Sequence, residues 1–479
     1  GALTGLVYGR TSLKQGRMTT YSAAVLLLLS IAAVPIMLRM ATSTDPRALQ
    51  LPDGYQAEVV AKGFTYPTSI AVAEDGTVYV GESGFTYGPK TTEAKVLSVS
   101  SEGEVSEVAR GFEGPLNGLE LREDELYVSH LGKITRVNLL TDQRENLVTN
   151  IPALGDHQNN DLLFDPDGTL YFTVGAATNA AVVGSDNFVY AWADRYPDFC
   201  DQPSREFTLT GENYPALDLK SPDPQDEKST GAFAPFGTTR GEGETVEATI
   251  PASAAIHSLA GDGTLTVHAD GLRNPYGLAI TDDGAMYATN LGYDDRGVRA
   301  VRGSPDWVVE IREGAWYGWP DYAGTIPLTD RQFSSDRGIN LNPLIADAPK
   351  PEPPLASLPP HYSPMKLCEA PTGFDADGLL VAIFGDAQPL TEDLDEAVPT
   401  GILRVSRETG DWEWFIRNHD RPRYGRAEGG FKRVIDVKPG PDGTDLYVLD
   451  FGVMEFTDMS PNAIPETGVL WRITRAGDS

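Results

Sequence analysis

The feature that most constrains this chain is a phrase repeated six times. Each copy is a tight turn containing Asp or Gly, followed by an alternating strand with an aromatic residue. It reads EDGTVYV (74–80), REDELYV (122–128), PDGTLYF (166–172), DDGAMYA (282–288), DADGLLVAIF (375–384) and PDGTDLYVLD (441–450). Asp-Gly signals a short turn and the period-2 run signals a strand. A second phrase precedes most copies: GFTYPTSIAV (63–72), GFEGPLNGLEL (111–121), GDHQNNDLLF (155–164) and GLRNPYGLAI (271–280). Each unit is therefore a loop, a strand, a turn and a strand. Further strands such as GKITRVNLL, DWVVEI and GVLWRITRAG follow the copies or close the chain.

Repeated four-stranded units of roughly 40–50 residues predict a β-propeller, since no blade buries both faces alone. The expected fold is an all-β six-bladed propeller over 45–479. The spacing of the copies is uneven, so long insertions are expected at 177–250 and 325–362. Such segments are either functional lids or surface decoration.

The propeller reading also resolves the length. The 479 residues suit two or three ordinary domains, but large β architectures grow as single units. A net charge of −31 argues against nucleic acid or an anionic membrane surface as partner. Cys200 and Cys368 share no metal-type spacing. They fit either one disulfide in an exported protein or two unpaired thiols.

Residues 1–44 read as a separate segment. MTTYSAAVLLLLSIAAVPIML (18–38) is uncharged and mostly apolar, with Lys14 and Arg17 ahead of it. Its length is near the ~20 residues that span a bilayer. The expectation is an N-terminal hydrophobic helix anchoring an exported periplasmic or cell-surface protein. A cleaved signal peptide is the runner-up, because no clear cleavage site follows.

Two segments carry candidate chemistry. The loop ahead of an inner strand should face the mouth of the central channel, which puts His157 of GDHQNND there. A neutral imidazole accepts protons near neutral pH. The second segment, DGLRNPYGLAITDDGAMYATNLGYDDRG (270–297), contributes Arg273, Asn274 and Asn290. A guanidinium offers a rigid fork of donors to carboxylate or quinone oxygens. Together they suit removal of a hydroxyl proton while a hydride leaves to a polarised acceptor. His157 also reads as a loop residue, and Tyr293–Gly297 (YDDRG) as a solvated turn. The chain has no GxGxxG before a helix, P-loop, GxSxG or HExxH, so nicotinamide, nucleotide, serine-hydrolase and zincin chemistries lack support.

At these residues the chain resembles the glucose/sorbosone dehydrogenases, soluble-type sugar dehydrogenases that use pyrroloquinoline quinone (PQQ). The similarity runs over most of 50–475. It is carried by GDHQNNDLLFDPDGTLYFTVG, GLRNPYGLAI, GAWYGWPDYAG (314–324) and KRVIDVKPGPDG (432–443). The resemblance implies a six-bladed propeller, with His157 as general base and Arg273 beside it in catalysis. It implies Arg273, Asn274, Asn160, Asn290 and Arg433 on the cofactor, and Ca²⁺ held at Gly292 and Tyr293. The partners implied are a sugar substrate and a quinone or cytochrome as electron acceptor. The chain departs from the family pattern in NLGY (290–293), where a Glu and a Gly-Pro are usual. It also departs at Ala176, in place of an Asp supporting the histidine, and at Ile435, in place of a second Arg.

Two other readings remain open on the same residues. One is a non-catalytic propeller used for carbohydrate binding or assembly. The other is a calcium-dependent hydrolase built on Asn160, Asn274 and Asn290.

Overall fold

The computed structural model describes residues 43–85, 92–387, 398–419, 429–456 and 461–475. The apolar run at 18–38 and its expected helix lie outside the described residues. Among the described residues, no helix is long and apolar enough to cross a membrane.

Six antiparallel sheets form six blades of a β-propeller. The first blade holds Pro67–Val72, Val78–Glu82, Glu93–Val99 and Val105–Glu113, from the innermost strand outward. The innermost strands of the other five are Leu116–Arg122, Asn159–Phe164, Pro275–Ile280, Pro364–Glu369 and Val434–Pro439. Every repeated phrase found in the sequence is the turn joining an innermost strand to its neighbour. The ring is closed by Tyr55–Phe64, which pairs with Gly468–Arg475 as the outer strand of the sixth blade. Leu49–Gln50, just ahead of it, pairs onto the fifth blade.

Side-chain alternation packs each sheet between two neighbours. In the first blade Ile70, Val78 and Val80 pack in one cluster with Leu446 and Val448 of the sixth blade. Ala71, Tyr79 and Val96 turn the other way, against Leu119 and Leu126 of the second. Each fully buried valine or leucine of this kind contributes about 2 kcal/mol.

All six innermost strands shift register near their start, at Pro67/Ser69, Leu116/Gly118, Asn159/Leu162, Pro275/Leu278, Pro364/Leu367 and Val434/Asp436. Such bulges re-aim side chains at the rims of closed sheets. Here the second residue of each strand (Thr68, Asn117, Asn160, Tyr276, Met365 and Ile435) lines a cavity at the channel mouth. The third residue plugs the axis. Lys366 Nζ lies 3.0 Å from Asp161 Oδ1, 3.5 Å from Asp436 Oδ2 and 2.6 Å from Ser69 Oγ. All four residues are fully buried.

The two insertions are folded against each other. Residues 175–254 carry two short helices and small hairpins. Residues 312–355 bridge to them through Leu209 and Ile345. Arg299, itself buried, donates to Asp321 at 2.8 Å and so pins the second insertion to the loop that follows Met286–Asn290. Cys200 and Cys368 are free thiols, which leaves the unpaired alternative. Burial pushes each up to about 12.

Candidate active site

His157 sits on a loop that continues the ladder of the third blade. The N–H of Asp156 donates to Ala177 O at 2.9 Å, and that of Gly175 to Gln158 O at 2.8 Å. The N–H of Ala176 donates onward to Arg273 O at 2.6 Å, which ties this loop to the fourth blade. Gly175 permits the close approach. A Cβ there would stand 2.3 Å from His157 Cβ and 2.7 Å from Asn274 Oδ1.

Nδ1 of His157 lies 2.9 Å from the Ala176 carbonyl. A carbonyl only accepts, so Nδ1 carries the proton and Nε2 holds a lone pair. Burial holds the imidazole well below its usual range, helped by the Arg273 guanidinium. The ring is therefore neutral at pH 7 and basic at Nε2.

Three asparagines form a row across the inner blades. Asn117 of the second blade donates to Asn160 Oδ1 at 3.3 Å, and Asn160 donates to Asn274 Oδ1 at 2.9 Å. Asn290 accepts from the Asn274 N–H at 3.0 Å. It fixes the strand pair without lining the cavity. Asn159 turns toward the second blade, where it donates to Ser129 and to His130 O.

Beside His157 lies a compact ion-pair cluster. Arg273 donates to Asp294 Oδ2 at 2.7 Å and to Asn179 O at 3.2 Å, and also to Gly292 O. Arg296 donates to Asp294 Oδ2 at 3.0 Å, to Asp186 Oδ2 at 3.3 Å and to Asp156. Burial pushes the Asp186 carboxyl up to about 6. Asp306 accepts from Gly292 N–H and Ser363 N–H, each at 2.7 Å, and burial lifts it to about 6 as well. His361 lines the same cavity, with Nδ1 4.0 Å from Asp294 Oδ1.

The expected residues are thus partly gathered. His157, Asn160, Arg273, Asn274 and Gly292 line one cavity of about 240 Å³. Arg433 stands behind its wall, where it donates to Asp386 O at 2.8 Å and Met454 O at 3.1 Å. Its guanidinium lies 4.9 Å from the Phe384 ring centroid and 5.0 Å from that of Phe456. Tyr293 is buried, with its hydroxyl donated to Tyr322 O at 2.9 Å. Among the described residues, no group of three or more His, Cys, Asp or Glu side chains is placed to hold a metal ion. Asp306 and His361 joined the site unannounced by any motif, and Arg296 comes from YDDRG, which is part of the site, buried at Tyr293 and Asp294, and not a solvated turn.

Solved structures share this fold. A protein of carbohydrate-active enzyme family AA12 from Trichoderma reesei matches at TM-score 0.54 and 15% identity, over 90% of this chain and 98% of that one. The PQQ domain of pyranose dehydrogenase from Coprinopsis cinerea matches at TM-score 0.50 and 14% identity, over 89% of this chain and 97% of that one. The structural neighbours include PQQ-dependent sugar dehydrogenases. At such identities the likeness is one of fold, and function has to be argued from the site. No protein-family model and no curated protein matches the chain.

Proposed function

We propose that this chain is a dehydrogenase acting at the hydroxyl carbon of a sugar or alcohol, with His157 as general base. The observation that carries the reading is the tautomer of His157. Its Nδ1 proton is committed to Ala176 O, and a neutral Nε2 is left on the cavity. A hydroxyl bound there loses its proton to Nε2 as the C–H hydride passes to a two-electron acceptor of the quinone class, leaving a carbonyl. Asn274, held by Asn160 and Asn290, orients the oxygen. Arg273 is a positioning residue, because its donors fix the Gly292 carbonyl and the Asp294 carboxylate.

PQQ, implied by the resemblance and present in fold neighbours, carries three carboxylates besides its quinone ring. The ring is matched by the aromatic side chains Phe384, Phe451 and Phe456, which line the same cavity as His157. The carboxylates are not matched. Arg273 and Arg296 are both committed to aspartates, and Arg433 lies behind the wall. The Gly292 carbonyl expected to hold Ca²⁺ already accepts from Arg273. The described residues therefore do not fit PQQ with calcium.

The committed arginines favour one second reading, a non-catalytic carbohydrate-binding propeller. Export with an N-terminal anchor, suggested by 18–38, belongs to either. The deciding experiment is dye-linked oxidation over a panel of aldoses and alcohols, with His157→Ala as control. Loss of at least a hundredfold in kcat with unchanged sugar binding supports the dehydrogenase. Sugar binding without turnover in the wild type leaves the binding propeller.

A further inference from the structure

The mouth cavity has two unlike walls. Its polar wall comes from the third and fourth blades and holds His157, Asn274 and the aspartate–arginine cluster. The facing wall comes from the fifth, sixth and first blades. Its apolar part is Phe85, Met365, Phe384, Phe451, Met454 and Phe456, with Thr68, Ser83 and Ser363 lining the cavity from the same blades. The phenylalanines are linked by ring contacts, partly through Tyr66 behind them. Phe384 and Phe451 are 5.6 Å apart edge to face, Tyr66 stacks on Phe451 at 6.2 Å, and Phe85 lies 5.5 Å from Tyr66.

The charge balance of the cavity decides what this wall can hold. Among the described residues, its arginines are Arg273 and Arg296. Its carboxylates are Asp156, Asp294 and Asp306. Both guanidiniums are held by Asp294, and Arg296 also by Asp156. An anionic ligand would have to break those pairs or lose its water against phenylalanine, and either is costly. An uncharged aromatic ring meets no such barrier and gains apolar and stacking contact. Residues that carry hydrogen-bond donors line the cavity on opposite blades, Ser83 on the first and Asn274 on the fourth.

We propose that the Phe/Met wall binds an uncharged quinone head group that serves as electron acceptor for the alcohol held at His157. The inference rests on the dehydrogenase reading for the acceptor's role, though not for its binding. The step balances. The alcohol O–H proton goes to His157 Nε2 and its C–H hydride to the quinone. That hydride and the proton released from His157 then convert quinone to hydroquinone, and the alcohol carbon becomes a carbonyl.

The test is direct binding to the full chain of three probes: 1,4-naphthoquinone, its 2-sulfonate and PQQ. Each is followed by quenching of protein fluorescence. The expected result is at least tenfold tighter binding of the uncharged quinone than of either anion. Phe456→Ala should weaken it at least fivefold, and Phe456→Arg should narrow or reverse the preference. Equal or tighter binding of the sulfonate or of PQQ by the wild type overturns the proposal, whatever the variants do. A parallel assay with an artificial dye separates the two ideas. Alcohol oxidation without naphthoquinone binding sinks the quinone site and keeps the dehydrogenase. Selective naphthoquinone binding without alcohol oxidation keeps the site and removes its role as acceptor.

Discussion

The backbone N–H and the ring Nδ1 of His157 converge on a single acceptor, the carbonyl of Ala176, at 3.1 and 2.9 Å. A main-chain oxygen thus does here what a carboxylate does in many His-based sites. It fixes ring orientation and tautomer, while the Asp156 carboxylate stands 3.9 Å from Nε2 and is itself paired with Arg296. Burial and Arg273 hold the ring well below its usual range. The acid limb of kcat/KM is therefore expected well below 6.5, the usual imidazole value, with activity level through pH 7. A pH profile of the wild type checks this. A limb near 6.5 would mean that a solvated group controls turnover.

Gly175 is needed for space, not for a special backbone angle. A methyl group there would overlap His157 and Asn274 at once. Gly175→Ala should cost about 1–3 kcal/mol of stability, as overpacking does, and lower kcat more than tenfold by moving the base. Urea unfolding and steady-state kinetics on the same preparation measure both. Full activity would show that the loop yields without moving the histidine.

The axial plug joins four blades through one amine. Lys366→Met takes from Asp161 and Asp436 the amine that contacts both in the buried channel, and leaves them only the more distant charge of Lys438. Breaking a buried pair by removing one partner costs about 3–5 kcal/mol. The double variant Lys366→Met/Asp161→Asn should recover part of that loss. Denaturant midpoints of the three proteins give the comparison.

His257 is buried against Phe172, with its ring stacked at 5.0 Å and Nε2 accepting from Ala252 N–H at 2.9 Å. Burial lowers it to about 3. The unfolded chain takes up a proton near pH 6.5 while the folded one does not, so this site loses stability as pH falls below 6.5. His257→Asn lacks that penalty. The advantage of the wild type over the variant should shrink by about 2 kcal/mol between pH 6.5 and pH 5. A gap independent of pH would mean that the ring is not buried neutral.

Neither cysteine should react in the native protein at pH 8, because burial keeps both as thiols. Thiol titration should find two groups only after denaturation, and a reductant should leave the melting temperature unchanged.

The ring of blades was legible because its turns have a local chemical cause. Gly168, at φ +89°, supplies the left-handed residue that the PDG turn requires. The second copy lacks glycine, and Glu123 takes φ +53° in its place. Its alternating strand still marked it. His157 was legible because a rare residue type sat ahead of a clear strand. The aim of side chains into the cavity was not legible. It depends on the six register shifts and on the positive φ of His361 at +62°, which leave no pattern in a Pro-rich stretch. The commitment of Arg273 was hidden for another reason. Its partner Asn179 arrives from an insertion whose path only the packed fold sets, and Asp294 is turned onto it by the loop that follows Met286–Asn290.

The pairing of Tyr55–Phe64 with Gly468–Arg475 has a consequence for biosynthesis. The strand that completes the last blade is synthesised ahead of all six innermost strands, and its partner after them. Five blades can stack while translation proceeds, but the circle stays open until the final strand emerges. Through that interval the early strand presents an unpaired edge to the cell. Occupation of that edge, by a chaperone or by a neighbouring nascent chain, would decide between a closed ring and an aggregate.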